Sequence, residues 1–159
     1  MKINRAILPS NKKETYIEDV DFSKLPPDDN HVRSIKNCHV KVEATEFDDV
    51  LECLISGEAD VIASCSYTLE DVPLHATFKE QFFFSDQDDD SEDCYFEPGV
   101  EIDLDPYILA LILAEVPHNI TKSGNGYRVL SEEEFEEERK HKGNSAFDVL
   151  DSLLDDDEN

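Results

Sequence analysis

Glycine is scarce in this chain, at five of 159 residues. Loops that cradle phosphate through backbone amides depend on it, and no phosphate loop, dinucleotide fingerprint or nucleophile elbow is found. Long apolar runs are missing as well. The longest, Tyr107 to Ala114, falls far short of the roughly 20 residues of a membrane-spanning helix. Met1 to Pro9 carries charges and no apolar stretch of secretory length, so a cytoplasmic location is expected. Cys38, Cys53, Cys65 and Cys94 form no C-x-x-C pair and are expected to stay reduced. The five histidines show neither H-x-x-H nor H-E-x-x-H spacing. No zinc site, cofactor or small-molecule substrate is therefore predicted.

Basic side chains are the other shortage. Fourteen Lys and Arg face 39 Asp and Glu, for a formal net charge of -25. The imbalance is uneven: residues 1–41 hold eight basic and six acidic side chains, so the remainder carries -27. Phosphate contacts from Lys and Arg dominate nucleic-acid binding. Only six such side chains lie beyond residue 41, which makes a basic protein a better-matched partner than free nucleic acid. With 39 acids, adjacent carboxylates arise from composition alone, and none is singled out for acid–base catalysis. The expectation is a binding protein, not an enzyme.

What is present is a clear alternation. Cys38, Val40, Val42 and Ala44 alternate with polar residues. Cys53, Ile55, Gly57, Ala59, Val61, Ala63 and Cys65 share one face of a long segment. Val72, Leu74, Ala76, Phe78, Phe82 and Phe84 continue the period. This predicts antiparallel strands with one wet face, and Gly57 predicts a bulge or bend. Lys2 to Leu8 reads as a short strand, and Pro26-Pro27-Asp28-Asp29-Asn30 as a loop.

Ser85 to Asp93 is an acidic, solvated loop. Within it and just beyond, Asp86, Asp88, Asp90 and Glu97 fall at positions one, three, five and twelve of a calcium loop. Ser91 stands where that loop wants glycine, and Phe82-Phe83-Phe84 before it reads as strand, not helix. Weak divalent-ion binding by a solvated loop is the expectation, with a metal-dependent nuclease as an outlying alternative.

Asp105-Pro106 predicts a capped helix start, and the apolar helix to Glu115, closed by Pro117, is expected to be buried. Gly124-Asn125-Gly126 is a turn. Ser131-Glu132-Glu133-Glu134 is a capping box for a charged helix to about Lys142. Ala146 to Leu154 carries an apolar stripe of Phe147, Leu150, Leu153 and Leu154, which either docks on the core or binds a partner. The predicted fold is α+β: a curved or barrel-like antiparallel sheet with a buried helix at about 105–116 and a helical acidic C-terminal extension. A β-rich domain over 1–120 is followed by the extension over 121–154 and a disordered tail over 155–159.

Three segments together resemble the YceD family, implicated in large-subunit ribosomal RNA accumulation. The first runs from Ile55 through Cys65, Leu69 and Pro73. The second is Phe82-Phe83-Phe84, the acidic insert, then Ile102-Asp103-Leu104-Asp105-Pro106 and the helix ending at Val116-Pro117. The third is Ala146 to Leu150. Many members carry a second cysteine where this chain has Thr68, an acidic residue near Ala110, and an Asp-Pro-Arg motif where this chain has Asn144-Ser145-Ala146. The resemblance implies a non-catalytic role in 50S subunit assembly, with a basic ribosomal protein or a pre-50S particle as partner. The alternative is direct rRNA binding through a positive face made by Lys2, Arg5, Lys12, Lys13, Arg33, Lys36 and Lys41.

Overall fold

The computed structural model describes residues 1–24, 31–88 and 92–141. Its elements in chain order are β1 (Lys2–Asn4), β2 (Lys13–Val20), β3 (Val32–Phe47), β4 (Val50–Ser64), β5 (Asp71–Ser85), β6 (Tyr95–Phe96), β7 (Glu101–Asp103), α1 (Asp105–Ala114), β8 (Ile120–Ser123) and β9 (Gly126–Val129). A further helix, α2, covers residues 132–141.

The alternation in the sequence becomes the two faces of β3, β4 and β5. Val40, Val42, Ala44, Leu51, Cys53, Ile55, Val61 and Phe84 are at most 1% exposed on one face. His39, Lys41, Glu58 and His75 are exposed on the other. A two-residue hairpin sets the register between β3 and β4. Phe47 pairs with Val50 across Asp48-Asp49, both left-handed at φ 51° and 63°, the conformation that matches strand twist.

Gly57 pairs with Val40, just past the mid-strand register shift of β3. The bulge lies in β3, between Lys36 and His39, with Asn37 left-handed at φ 49°. A Cβ on Gly57 would meet the His39 carbonyl and lie 2.7 Å from Phe78 Cζ. The glycine thus marks a close approach between strands, and the bulge it signals is on its neighbour.

The large sheet has the order β2-β3-β4-β5-β6 and is open. The barrel-like expectation is corrected here. Strand β2 is one edge, with Tyr16 and Val20 half-buried against the core, and β6, of only two residues, is the other; the two edges are not paired. The β5–β6 pair is parallel, so the sheet is mixed, not purely antiparallel.

Helix α1 packs on β4 and β5. Ile108 and Ile112, one turn apart, are fully buried, and each contributes about 2 kcal/mol of burial energy. Tyr107, Leu109, Leu111 and Leu113 are half-buried, while Pro106, Ala110 and Ala114 are exposed. The expectation of a wholly buried helix is therefore corrected: one stripe is buried, because only one layer of sheet lies beneath it. Leu104 is the N-cap and makes no side-chain cap. Asp105 instead pairs with the Met1 amino group, and Asp103 Oδ1 accepts the Asp105 N–H at 3.0 Å.

The region after residue 120 opens with a β8–β9 hairpin, so the expected helical extension over 121–154 is not helical at its start. The turn is Gly124-Asn125, with Gly124 at φ 58°. The predicted capping box then forms in full: Glu134 N–H donates to Ser131 Oγ at 3.2 Å, and Ser131 N–H to Glu134 Oε2 at 3.0 Å. Phe135 of α2 stacks on Tyr67 with ring centroids 5.1 Å apart, tying α2 to the β4–β5 loop. Phe147, Leu150, Leu153 and Leu154, the tail over 155–159, the Pro26-Pro27 loop and Asp90 lie outside the described residues.

Candidate functional site

Cross-strand register places the polar face of the sheet in rows. Ile17, Lys41, Ser56 and Lys79 form one; Asp19, His39, Glu58 and Thr77 the next. The cations expected to make a positive face do not gather. Lys13 lies opposite Thr45, while Arg33 is at the other end of β3, about 40 Å away at the rise of a strand. Lys12 sits in the turn before β2.

Most of these cations also have carboxylates beside them. Lys41 and Lys13 share Glu43 Oε1, at 3.3 and 4.0 Å. Arg33 pairs with Asp71 at 2.7 Å, and Lys2 with Glu101 at 2.9 Å. Lys36 lies across from Asp60 in the register.

Two histidines on this face pair with acids. His39 bonds Asp19, and that hydrogen bond raises its pKa. His75 Nδ1 lies 3.0 Å from Asp60 and Nε2 3.6 Å from Glu58. The bond to Asp60 raises the His75 pKa. Bonds from Asn37 and His75 in turn lower that of Asp60.

Of the calcium-like set, Glu97 is held by other partners. Glu97 accepts the Tyr107 hydroxyl at 2.5 Å, and its N–H donates to the Ser85 carbonyl at 2.9 Å. Burial first, and then the bond to Glu97, pushes the Tyr107 pKa up. Among the described residues no three His, Cys, Asp or Glu are grouped to hold a metal.

The positions that carry the resemblance differ in burial, with Leu69, Pro73 and Asp103 exposed. Ile102 and Leu104 are buried, and Ile102 pairs with Ile3 between β7 and β1. Pro73 lies in the part of β5 with a strand on one side only, where a missing N–H is tolerated. Pro117 is half-buried after α1. Leu69 is left-handed at φ 58°, with its side chain 64% exposed.

Cys65 is different. Its thiol is buried, and burial alone would raise its pKa. The Thr68 hydroxyl and the N–H groups of Thr68, Lys122 and Tyr67 outweigh that and lower it to about 7. Glu70 Oε2, 3.0 Å from Thr68 Oγ1, competes for the hydroxyl proton, so the three amides are the firmer donors. Burial holds Cys38 and Cys53 in the opposite direction, at about 11 and about 12.

The feature that sequence reading missed is a corner. Phe47, Val50, Ser85 and Phe96 form one cross-strand row at the hairpin end of the sheet. Phe47 is 67% and Phe96 49% exposed. Asp48 and Asp49 make the adjoining turn, and the acidic segment leaves the sheet immediately after Ser85. Only the strand register brings these residues together.

No family model matches the chain, and no solved structure matches it. It is similar to the uncharacterized protein YlbN of Bacillus subtilis (strain 168), with 26% identity over 157 residues, covering 90% of this chain and 89% of that protein. Among the described residues no helix is long and apolar enough to cross a membrane.

Proposed function

We propose that this protein is a non-catalytic factor in large (50S) ribosomal subunit biogenesis and 23S rRNA accumulation. It acts by binding a basic ribosomal protein or a pre-ribosomal particle. The observation that carries this reading is the disposition of charge. Lys13 stands beside Glu43 of the neighbouring strand, Lys41 beside the same Glu43 on its own strand, and Arg33 beside Asp71 of β5, so these cations are dispersed and each has a carboxylate beside it. Between Lys79 and Lys122 there is no Lys or Arg at all.

A surface of this kind repels polyanions and steers a basic protein into contact at high rate. The YceD resemblance supplies the large-subunit context. The test is recovery of the tagged full chain from cells at low and moderate salt. Ribosomal proteins or pre-50S particles in the eluate support the reading; their absence at both salts contradicts it. A gel shift with large-subunit rRNA fragments separates the direct-RNA alternative. Steep salt dependence, lost on changing Lys12 and Lys13 to Glu, would favour RNA.

A further inference from the structure

We propose that the corner around Phe47 and Phe96 is the docking surface for a lysine- and arginine-rich protein segment that inserts an apolar side chain. The proposal rests on the reading of a basic partner and locates where that partner binds.

Away from the hairpin end, the polar face of the sheet carries His39, Lys41, Glu58 and His75, with isolated Ile17 exposed and Leu54 and Ile62 half-buried among them. At the hairpin end this changes. Phe47 and Phe96 share a cross-strand row with Val50, and half-buried Phe83 lies in the next row, opposite Glu52. Phe47 and Phe96 keep 67% and 49% of their surface in contact with solvent. Large apolar side chains grouped on an otherwise wet face mark an interaction surface.

Charge identifies the occupant. Asp48 and Asp49 form the turn beside Phe47. Asp86 and Asp88 follow Ser85, and Glu92 and Asp93 precede β6. Among the described residues none of these six carboxylates is in an ion pair. By contrast, Asp19, Glu43, Glu58 and Asp60, on the rest of that face, each lie beside a lysine or a histidine. Carboxylates without counter-ions surrounding exposed phenylalanines fit a cationic segment with an apolar or aromatic anchor. Phe47 and Phe96 stand three strand spacings apart, about 14 Å, so the anchor packs over Val50 between them and Lys or Arg on either side meets the rim. A nucleic acid would meet the same rim with like charge.

Hydrogen bonds from Arg5 fasten the N-terminal segment beside this corner. Arg5 ties the N-terminal segment to Glu46 and to the Asp49 carbonyl, each at 2.7 Å. Its N–H reaches the Val100 carbonyl at 2.8 Å.

The experiment titrates the full chain with a lysine-rich peptide containing phenylalanine, with the same peptide carrying serine in its place, and with oligouridylate. Amide chemical shifts map the site. The phenylalanine peptide is expected to shift resonances of Phe47, Val50 and Phe96, and the serine peptide to bind about tenfold more weakly. Phe47→Ser with Phe96→Ser is expected to lower affinity for the phenylalanine peptide by about tenfold as well. Because both side chains are exposed, the unfolding midpoint should hold. Shifts centred elsewhere, unchanged affinity of the double variant, or tighter binding of oligouridylate at the corner would overturn the proposal.

The two claims fail separately. A large-subunit defect that the double variant fully rescues removes the docking site and leaves the function standing. Peptide docking at the corner without any large-subunit defect does the reverse.

Discussion

Arg5 donates through Nε and Nη2 to a single oxygen of Glu46, at 3.1 and 2.7 Å. Both side chains are sheltered, at 8% and 21% exposure. The other atoms of the pair, Arg5 Nη1 and Glu46 Oε2, are buried with no hydrogen-bond partner among the described residues.

Breaking this pair from one side leaves a sheltered charge alone. Arg5→Met should destabilise the protein by about 3 kcal/mol, read as a lower urea midpoint at unchanged slope. Arg5→Met with Glu46→Leu should recover most of the loss, because no charge is then stranded. A double variant no more stable than the single one would show that the pair is not coupled.

Gly57→Ala tests the close approach at the bulge. The added methyl meets the His39 carbonyl first and lies 2.7 Å from Phe78 Cζ. A loss of about 2 kcal/mol is expected. Adding Phe78→Leu should relieve only part, since the backbone carbonyl cannot move aside. Full recovery in the double variant would place the strain on the ring alone.

Cys65 should titrate near pH 7, visible as thiolate absorbance that Cys65→Ser removes. Cys38 and Cys53 are held at about 11 and about 12 and do not contribute in that range. The folded-state pKa is lowered to about 7 from the ordinary 9.0. The resulting stability is therefore absent below pH 7, grows between pH 7 and 9, and is complete above that. A stability profile from pH 7 to 9 identical in protein and Cys65→Ser variant would contradict it.

His39 and His75 should show NMR titration midpoints above those of an ordinary histidine. Asp60→Asn should bring the His75 midpoint down, and Asp19→Asn that of His39. Because both pKa values are raised by folding, their contribution is present at low pH and is lost as pH rises through the folded values. Midpoints unmoved by these substitutions would assign the shifts to the general acidity of the chain.

The sequence made one-sided strands legible because burial on a single face writes a period of two. Val40, Val42 and Ala44 are placed on the core face without any knowledge of their partners. The capping box at Ser131 and Glu134 was equally local, and it formed as read. Features set by register were not legible. Asp48-Asp49 is a hairpin turn with no glycine to announce it. Tyr95-Phe96 is too short to show any period, so the parallel edge strand was invisible. Strands β8 and β9 are four residues each and, apart from Ile120, have no buried position. The apolar composition of α1 suggested burial all round, but a single sheet layer can cover only one stripe. The Phe47–Phe96 corner joins residues from four strands, and the amide that lowers the Cys65 pKa from Lys122 comes from a distant hairpin. No sequence window contains either.

The central claim is a role in making the large ribosomal subunit, and its most direct test is the ribosome profile of cells lacking this protein. A deficit of mature 50S subunits and 23S rRNA relative to 30S and 16S, restored by the full chain, is the predicted result. An unchanged ratio of the two subunits during growth, at optimal and reduced temperature, would contradict the account.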